Sequence, residues 1–220
     1  MTTNAILTRE TVQRLAVLRA LMQWSKGAYG PVRLQKTLFF ADKENDPKWR
    51  FFTFKKHYLG QYSDEVSEVL NQLQKAERVE THYDGPSQRI VANISWKTRE
   101  MLTDFFDTYF APWSMAFDKA FKEWAYLNSD DVIRRAHSDA TYTKAKFGEM
   151  IFRSQLAAFI EFEGLSFGCG EYLSDLVDDR LHRNLQNRLT MALEKPVAGE
   201  DWRSKYFPEG SPLLEAVSAR

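Results

Sequence analysis

The sequence has a single cysteine, no net charge and no long apolar run, and each shortage narrows the classes of protein it can encode. With only Cys169 among 220 residues, no disulfide can form within the chain, which is typical of a reducing compartment. Lys and Arg number 30, and so do Asp and Glu, which disfavours a strongly basic nucleic-acid binder. No apolar run reaches the roughly 18 residues of a membrane span, and the N-terminus lacks an apolar signal core. We therefore expect a cytoplasmic protein without a membrane partner.

Side-chain patterns typical of metal sites and active sites are also missing. The histidines form no His-x-x-x-His pair and there is no cysteine pair, so no zinc site is predicted. The glycine-rich segment 164–170 lacks the Gly-Lys-Ser/Thr ending of a P-loop. Cys169 has no specifically spaced base beside it. We expect no metal, no cofactor and no enzymatic activity, and an enzyme pocket among aromatic helices is the least favoured alternative.

Periodicity and turn residues predict the order helix, helix, strand, helix, hairpin for residues 1–93. The first two helices span Thr8–Ser25 and Pro31–Lys43, with two glycines and a proline near their boundary. The aromatic run Phe51–Tyr58 predicts a strand. Lys55 and Lys56 interrupt its alternation, which favours an edge position with a solvated side.

The stretch from Tyr58 to Val66 is the junction between this strand and the third helix. Gly60 is suited to a positive φ. Ser63 is a good N-cap, and Asp64 and Glu65 lie at the positive end of the helix dipole. An apolar stripe follows at helical spacing, formed by Val66, Val69, Leu70 and Leu73. Two β-prone runs, Val79–Tyr83 and Arg89–Asn93, then predict a β-hairpin.

The second half of the chain is predicted to be helical. Dense aromatics over 96–128 favour core packing over a ligand pocket, and Ala111-Pro112 divides the region into two helices. A short helix from Asn128 and a longer one over Lys144–Phe162 follow, the latter with Phe147 inside. A leucine stripe over Glu171–Glu194 favours docking onto the protein's own body, with a homodimer as the alternative.

These elements predict an α+β, mainly α fold. Residues 1–140 form a helical domain with a small antiparallel β-hairpin, residues 141–195 an all-α C-terminal extension packed on it, and residues 196–220 an extended tail. A helix followed by a hairpin is typical of a winged-helix-like unit, while a small α+β subdomain whose hairpin covers the core is equally compatible.

DNA binding is one function that a winged-helix-like unit invites. Basic side chains on the strand and hairpin are the candidate contacts to nucleic acid: Lys55, Lys56, Arg78 and Arg89. The helix after Ser63 is poorly suited to be a DNA-recognition helix, because Asp64, Glu65 and Glu68 near its start would repel phosphates.

Two motifs in combination resemble the SocA/Panacea antitoxin domain over about residues 10–140. The first is Leu34-Gln35-Lys36-Thr37-Leu38-Phe39-Phe40-Ala41-Asp42, similar to the family's "KLLYFAD" helix. The second is Gly60-Gln61-Tyr62-Ser63, similar to its "yGPYS" turn before an amphipathic helix. Gln61 replaces the usual proline, and Arg78 follows Glu77 where a glycine is common.

The resemblance implies a non-enzymatic protein that binds and neutralises a partner toxin, or an adaptor that presents one to a protease. Family members also occur in phage and prophage settings. Exposed aromatics beside a charged helix start are plausible interface anchors. The candidate partner-binding residues are Tyr58, Gln61, Tyr62, Asp64 and Glu65.

Overall fold

The computed structural model of the protein describes residues 4–23, 30–84 and 87–177. Its α-helices are α1 (Arg9–Met22), α2 (Pro31–Lys43), α3 (Asp64–Lys75), α4 (Trp96–Tyr109), α5 (Ala111–Trp124), α6 (Ser129–His137), α7 (Ala140–Lys144) and α8 (Phe167–Val177). Its strands are β1 (Asn4–Thr8), β2 (Phe54–His57), β3 (Gly60–Tyr62), β4 (Val79–Asp84), β5 (Ser87–Ala92), β6 (Met150–Phe152) and β7 (Phe159–Ser166). The predicted α+β, mainly α class is confirmed.

The strands form three small antiparallel sheets rather than one large one. β4 and β5 are the predicted hairpin, β1 pairs with β7, and β2 lies between β3 and β6. Strands from residues before and after 140 therefore share two of the sheets. In the part of the chain that the structure describes, no helix has the length and apolarity to cross a lipid bilayer.

Helix α1 lies at the centre of the molecule. Its side chains are buried around almost the whole circumference, and it contacts α2, α3, α4 and α8. Thr8 caps its N-terminus by accepting a hydrogen bond from the Thr11 N–H at 3.1 Å. A helix buried on all sides provides the core against which the amphipathic helices pack.

Buried aromatic rings fill the space between α2, the start of the β2–β3 region, and α4 and α5. Phe51 packs against Phe106, Phe110 and Trp113, with ring centroids at most 6.2 Å apart. The buried rings of this cluster are Phe39, Phe51, Phe52, Phe54, Phe105, Phe106, Phe110, Trp113, Phe117 and Phe162, and Trp124 is buried in a second, smaller cluster. The preference for core packing over a ligand pocket among these helices is thus confirmed.

Two predictions about secondary structure are wrong, one about a helix and one about the position of a strand in its sheet. The stretch predicted as a helix over Lys144–Phe162 instead contains β6 and the first half of β7, so the C-terminal extension is not all-α. Strand β2 is central in its sheet and not at an edge, because β6 pairs with its second side.

The predictions for the glycine-rich segment and the leucine stripe agree with the structure only in part. Helix α8 begins at Phe167, so the segment's last two glycines are helical rather than in a turn. Leu173, Leu176 and Val177 are buried against the protein's own body, as predicted. The rest of the stripe, the tip of the hairpin and the predicted tail lie outside the described residues.

Candidate protein-interaction surface

The outer face of the β3–β2–β6 sheet is the feature around which the junction residues gather. Strand alternation sends Phe54 into the core and turns Lys55 and His57 outward. Lys55 pairs across the sheet with Tyr62 on β3 and with Met150 on β6, so these side chains share the outer face.

Four rings stand together at one end of this face, and we call them the aromatic surface: His57, Tyr58, Tyr62 and Phe147. The Tyr58 and Phe147 rings are 4.2 Å apart, and His57 lies between Tyr62 at 5.1 Å and Phe147 at 6.1 Å. Tyr58 is 71% exposed and Phe147 56%. Large apolar side chains that cluster while exposed mark interaction sites more often than isolated ones do.

Helix α2 holds the junction from the core side with two consecutive polar residues. The Gln35 side chain donates to the Ser63 carbonyl at 2.9 Å and accepts from the Ser63 N–H at 2.8 Å. The neighbouring Lys36 ammonium donates to the Gln61 carbonyl. Backbone groups that α3 and β3 leave unpaired are thereby satisfied.

Helices α6 and α7 hold the turn from the opposite side. His137 at the end of α6 lies 2.8 Å from the Tyr58 carbonyl, and its ring stacks on Tyr142 at 4.6 Å. The Tyr142 hydroxyl donates to the His57 carbonyl at 3.0 Å. The Gln61 side-chain amide donates to the Ala136 carbonyl at 3.1 Å. The turn that carries Tyr58 is therefore fixed through both its backbone and its flanking residues.

Gly60 is required where it stands for two separate reasons. Its φ is +99°, a region that other L-residues rarely adopt. A Cβ at this position would lie 2.8 Å from Lys36 Cε and 2.9 Å from Ala136 Cβ. The predicted positive φ is confirmed, and the close approach to two helices adds a packing reason for glycine.

The loop that carries Phe147 is attached to β2 through its backbone. The Gly148 N–H donates to the Lys56 carbonyl at 3.0 Å, and the Lys56 N–H donates to the Glu149 carbonyl at 2.9 Å. The Lys56 ammonium also donates to the Ala145 carbonyl at 2.8 Å. Phe147 is thus presented by a loop fixed to the sheet.

Two ionisable groups are buried on α2, and one of them, Lys36, reaches the junction. Burial lowers the pKa of Lys36 from 10.5 to about 7. Burial likewise raises the pKa of Asp42 from 3.8 to about 7, against the hydrogen bonds that its carboxylate accepts from Phe52 N–H and Trp113 Nε1–H, each at 2.8 Å. Asp42 joins α2 to the chain before β2 and to α5, which is a structural role.

The five predicted partner-binding residues divide into exposed and internal ones. Tyr58 and Tyr62 belong to the aromatic surface, and Asp64 beside it is 70% exposed and pairs with Lys55 at 2.6 Å. Gln61 is completely buried, so in this structure its side chain is not available to a partner. The Glu65 carboxylate accepts from Thr53 at 2.7 Å and serves the fold.

The four candidate nucleic-acid contacts are not brought together. Lys55 and Lys56 lie on β2, where Lys56 is bound to the Ala145 carbonyl and packs over the Tyr142 ring at 4.4 Å. Arg78 precedes β4 in a different sheet and donates to the Leu176 carbonyl at 3.0 Å. Arg89 pairs with His82 farther along the hairpin. No single basic face is formed by these four.

Phe147 is the residue of the aromatic surface that sequence reasoning missed, because it was placed inside a predicted helix. Gly148 was the available signal: it takes a φ of +77° and is followed by the β-prone run Met150–Phe152. A glycine between an exposed aromatic residue and a short strand predicts a turn rather than the interior of a helix.

Among residues 4–23, 30–84 and 87–177, no group of three or more His, Cys, Asp or Glu is placed to hold a metal ion. A cavity of about 350 Å³ lies at the base of the hairpin, beside the start of α4 and the second half of α8. It is lined by residues such as Arg78, Thr98 and Tyr172 and shares none with the aromatic surface.

No protein-family model, curated protein or solved structure matches this chain. The resemblance to the SocA/Panacea domain therefore stays a prediction that rests on the two motifs quoted above.

Proposed function

We propose that this chain is a non-enzymatic, antitoxin-like protein that binds and neutralises a partner toxin, or serves as an adaptor for it, in the cytoplasm. The observation that carries the proposal is the aromatic surface on the Gly60-Gln61-Tyr62-Ser63 junction. This junction is one of the two motifs in which the sequence resembles the antitoxin family.

Preorganisation supports a binding role for the aromatic surface. Tyrosine is among the residues that contribute most to protein interfaces, since its ring buries a large area at a small cost in conformational entropy. Tyr58 is presented by a turn whose backbone is held by His137 and Tyr142. A surface ordered before binding loses less entropy when the complex forms.

Co-expression tests the proposal directly. The neighbouring open reading frame in the native host is expressed from an inducible promoter, with and without this chain, and growth is measured. We expect growth arrest that this chain relieves and a complex that co-purifies. A neighbour that is not toxic, together with the absence of any co-purifying protein, would contradict the antitoxin role.

Substitutions of exposed residues then test whether the partner binds at the aromatic surface. Tyr58→Ala with Phe147→Ala should abolish rescue while leaving the thermal midpoint within a few degrees, because both side chains are exposed. The matched control is Tyr83→Ala with Tyr126→Ala, which removes two side chains that are 76% and 88% exposed elsewhere. Equal loss of rescue in both double variants would show that the aromatic surface is not the binding site.

DNA-binding transcriptional regulation is the second candidate, and the helix followed by the β4–β5 hairpin favours it. Against it, α3 begins with Asp64 and Glu65, and Lys55 is already neutralised by Asp64. Binding of the protein to its own promoter is measured by gel shift at low salt. Salt-sensitive, sequence-specific retardation would favour this function, and no retardation at low salt would exclude it.

A further inference from the structure

The lysines around the aromatic surface differ in whether their ammonium groups already bind another group of the protein. Lys55 is paired with Asp64 at 2.6 Å, and the Lys56 ammonium is bound to the Ala145 carbonyl. Lys144 and Lys146 are exposed, and within the described part of the chain neither forms an ion pair with a carboxylate. Two ammonium groups without an ion pair in the described residues therefore lie within three residues of Phe147, one at the end of α7 and one in the loop that follows.

The acidic groups nearby do not cancel this charge. The Asp64 carboxylate forms an ion pair with Lys55. The Glu149 carboxylate accepts a hydrogen bond from the Lys146 backbone N–H at 2.6 Å, which fixes it at the backbone of the loop. Counting the exposed or half-buried charges of segments 55–64 and 144–150 gives four lysines against Asp64 and Glu149, a net charge of +2 with histidine neutral.

We propose that the aromatic surface takes an acidic protein segment. An aromatic or large aliphatic side chain of that segment packs against Tyr58 and Phe147, and its neighbouring carboxylates pair with Lys144 and Lys146. This inference rests on the proposed protein-binding function and adds the chemistry of the partner. Complementary charge at the rim of an interface speeds association and selects the partner, while the buried rings supply most of the affinity.

A single-stranded nucleic acid could also stack on exposed rings, but the observations favour protein. Such binders combine stacking rings with a basic groove that follows the phosphate backbone. Here the exposed Asp64 lies beside Tyr62 at the start of α3, and Lys55 forms an ion pair with it. Lys144 and Lys146, which form no ion pair with a carboxylate of the described residues, lie at the end of α7 and in the loop before Phe147. Two such charges suit a few carboxylates better than a run of phosphates.

Selection from a random peptide library tests the proposal with the full chain. A phage library of random peptides about as long as a short interface segment is panned on the wild-type protein and counter-selected on the Tyr58→Ala/Phe147→Ala variant. The expected peptides carry Asp or Glu on at least one side of an aromatic or large aliphatic residue. Affinity for a selected peptide is then measured by fluorescence anisotropy.

Charge reversal provides the quantitative test. Lys144→Glu with Lys146→Glu should weaken binding of the selected peptide about tenfold at low salt, and the difference should shrink as salt is raised from about 0.05 to about 0.3 M. The matched control, Lys97→Glu with Lys122→Glu, changes the net charge equally at two exposed lysines of α4 and α5 and should have less than a twofold effect.

The outcomes distinguish the acidic partner from the protein-binding surface itself. Peptides that need Tyr58 and Phe147 but are neutral or basic would overturn the acidic partner and leave the protein-binding surface standing. A selection that yields no peptide dependent on the two rings would overturn both. Tighter binding of a labelled oligo-dT strand than of any selected peptide, lost in the Tyr58→Ala/Phe147→Ala variant, would assign the surface to nucleic acid instead.

Discussion

Replacing Gly60 by alanine is the most direct perturbation of the junction. The substitution adds a single methyl group, so it changes neither charge nor hydrogen-bonding capacity. The new Cβ would lie 2.8 Å from Lys36 Cε and 2.9 Å from Ala136 Cβ, on a backbone with φ at +99°. Backbone strain and steric overlap should therefore both destabilise the folded state.

The two contributions can be estimated separately. A non-glycine residue in a sparsely populated region of positive φ costs about 1–3 kcal/mol. Overpacking of a filled interior costs about 1–3 kcal/mol more. Lys36 cannot swing away freely, because it is buried and its ammonium donates to the Gln61 carbonyl. We expect the free energy of unfolding to fall by about 2–6 kcal/mol.

Gly148 provides a matched control for the strain alone. Its φ is +77°, but no atom lies within 4 Å of the position that a Cβ would take. Gly148→Ala should therefore cost only the strain, about 1–3 kcal/mol. Urea unfolding followed by tryptophan fluorescence gives both values from the same two-state fit.

The difference between the two variants isolates the close approach of Gly60 to the helices. A Gly60→Ala variant that loses no more stability than Gly148→Ala would refute the packing argument. A Gly60→Ala variant that loses stability while Gly148→Ala loses none would refute the strain argument and leave the overlap alone.

Three further predictions concern positions around the same junction. Leu70→Ala on the buried face of α3 should lower the free energy of unfolding by about 2–5 kcal/mol, measured by urea denaturation, and a loss below about 0.5 kcal/mol would contradict its burial. Glu77 follows α3 with a φ of +57°, so Glu77→Gly should raise the thermal midpoint through a gain of about 1 kcal/mol, and an unchanged or lower midpoint would contradict strain there. The pKa of Lys36 is 10.5 unfolded and about 7 folded, so between these pH values the unfolded state binds the extra proton. Stability of the wild type relative to Lys36→Met should therefore rise from pH 7 toward pH 10, by roughly 5 kcal/mol at most, and a flat difference would show that Lys36 titrates normally.

Elements whose determinants are local in sequence were predictable. Helix α2 runs from a proline at its first turn to Lys43, as predicted. Ser63 caps α3 by accepting from the Val66 N–H at 3.3 Å, and its four apolar residues are buried. Capping, helical period and glycine conformation act within a few residues, so a sequence displays them.

Elements that depend on distant partners were not predictable. Strand β6 has three residues, and its pairing with β2 is specified by β2 about a hundred residues earlier. The burial of Gln61 follows from the Ala136 carbonyl, which only the fold brings near. Sequence reasoning found part of the aromatic surface, because Tyr58 and Tyr62 flank Gly60. It missed Phe147, which comes from the loop before β6, at the other edge of the sheet from β3.

The pairing of β1 with β7 has a consequence for the order in which the chain assembles during synthesis. Thr8 pairs with Phe159, so the partner of β1 is made about 150 residues after it. At roughly 5–20 residues per second, β1 waits on the order of 10–30 s for that partner. During this interval β1 is an open strand edge with an unpaired backbone, and Ala5 and Leu7, which are buried in the folded protein, lack the cover of β7. The sheet that joins the two ends of the described chain is thus the last that a growing chain can complete, and the period before it closes is when the nascent protein is most open to aggregation.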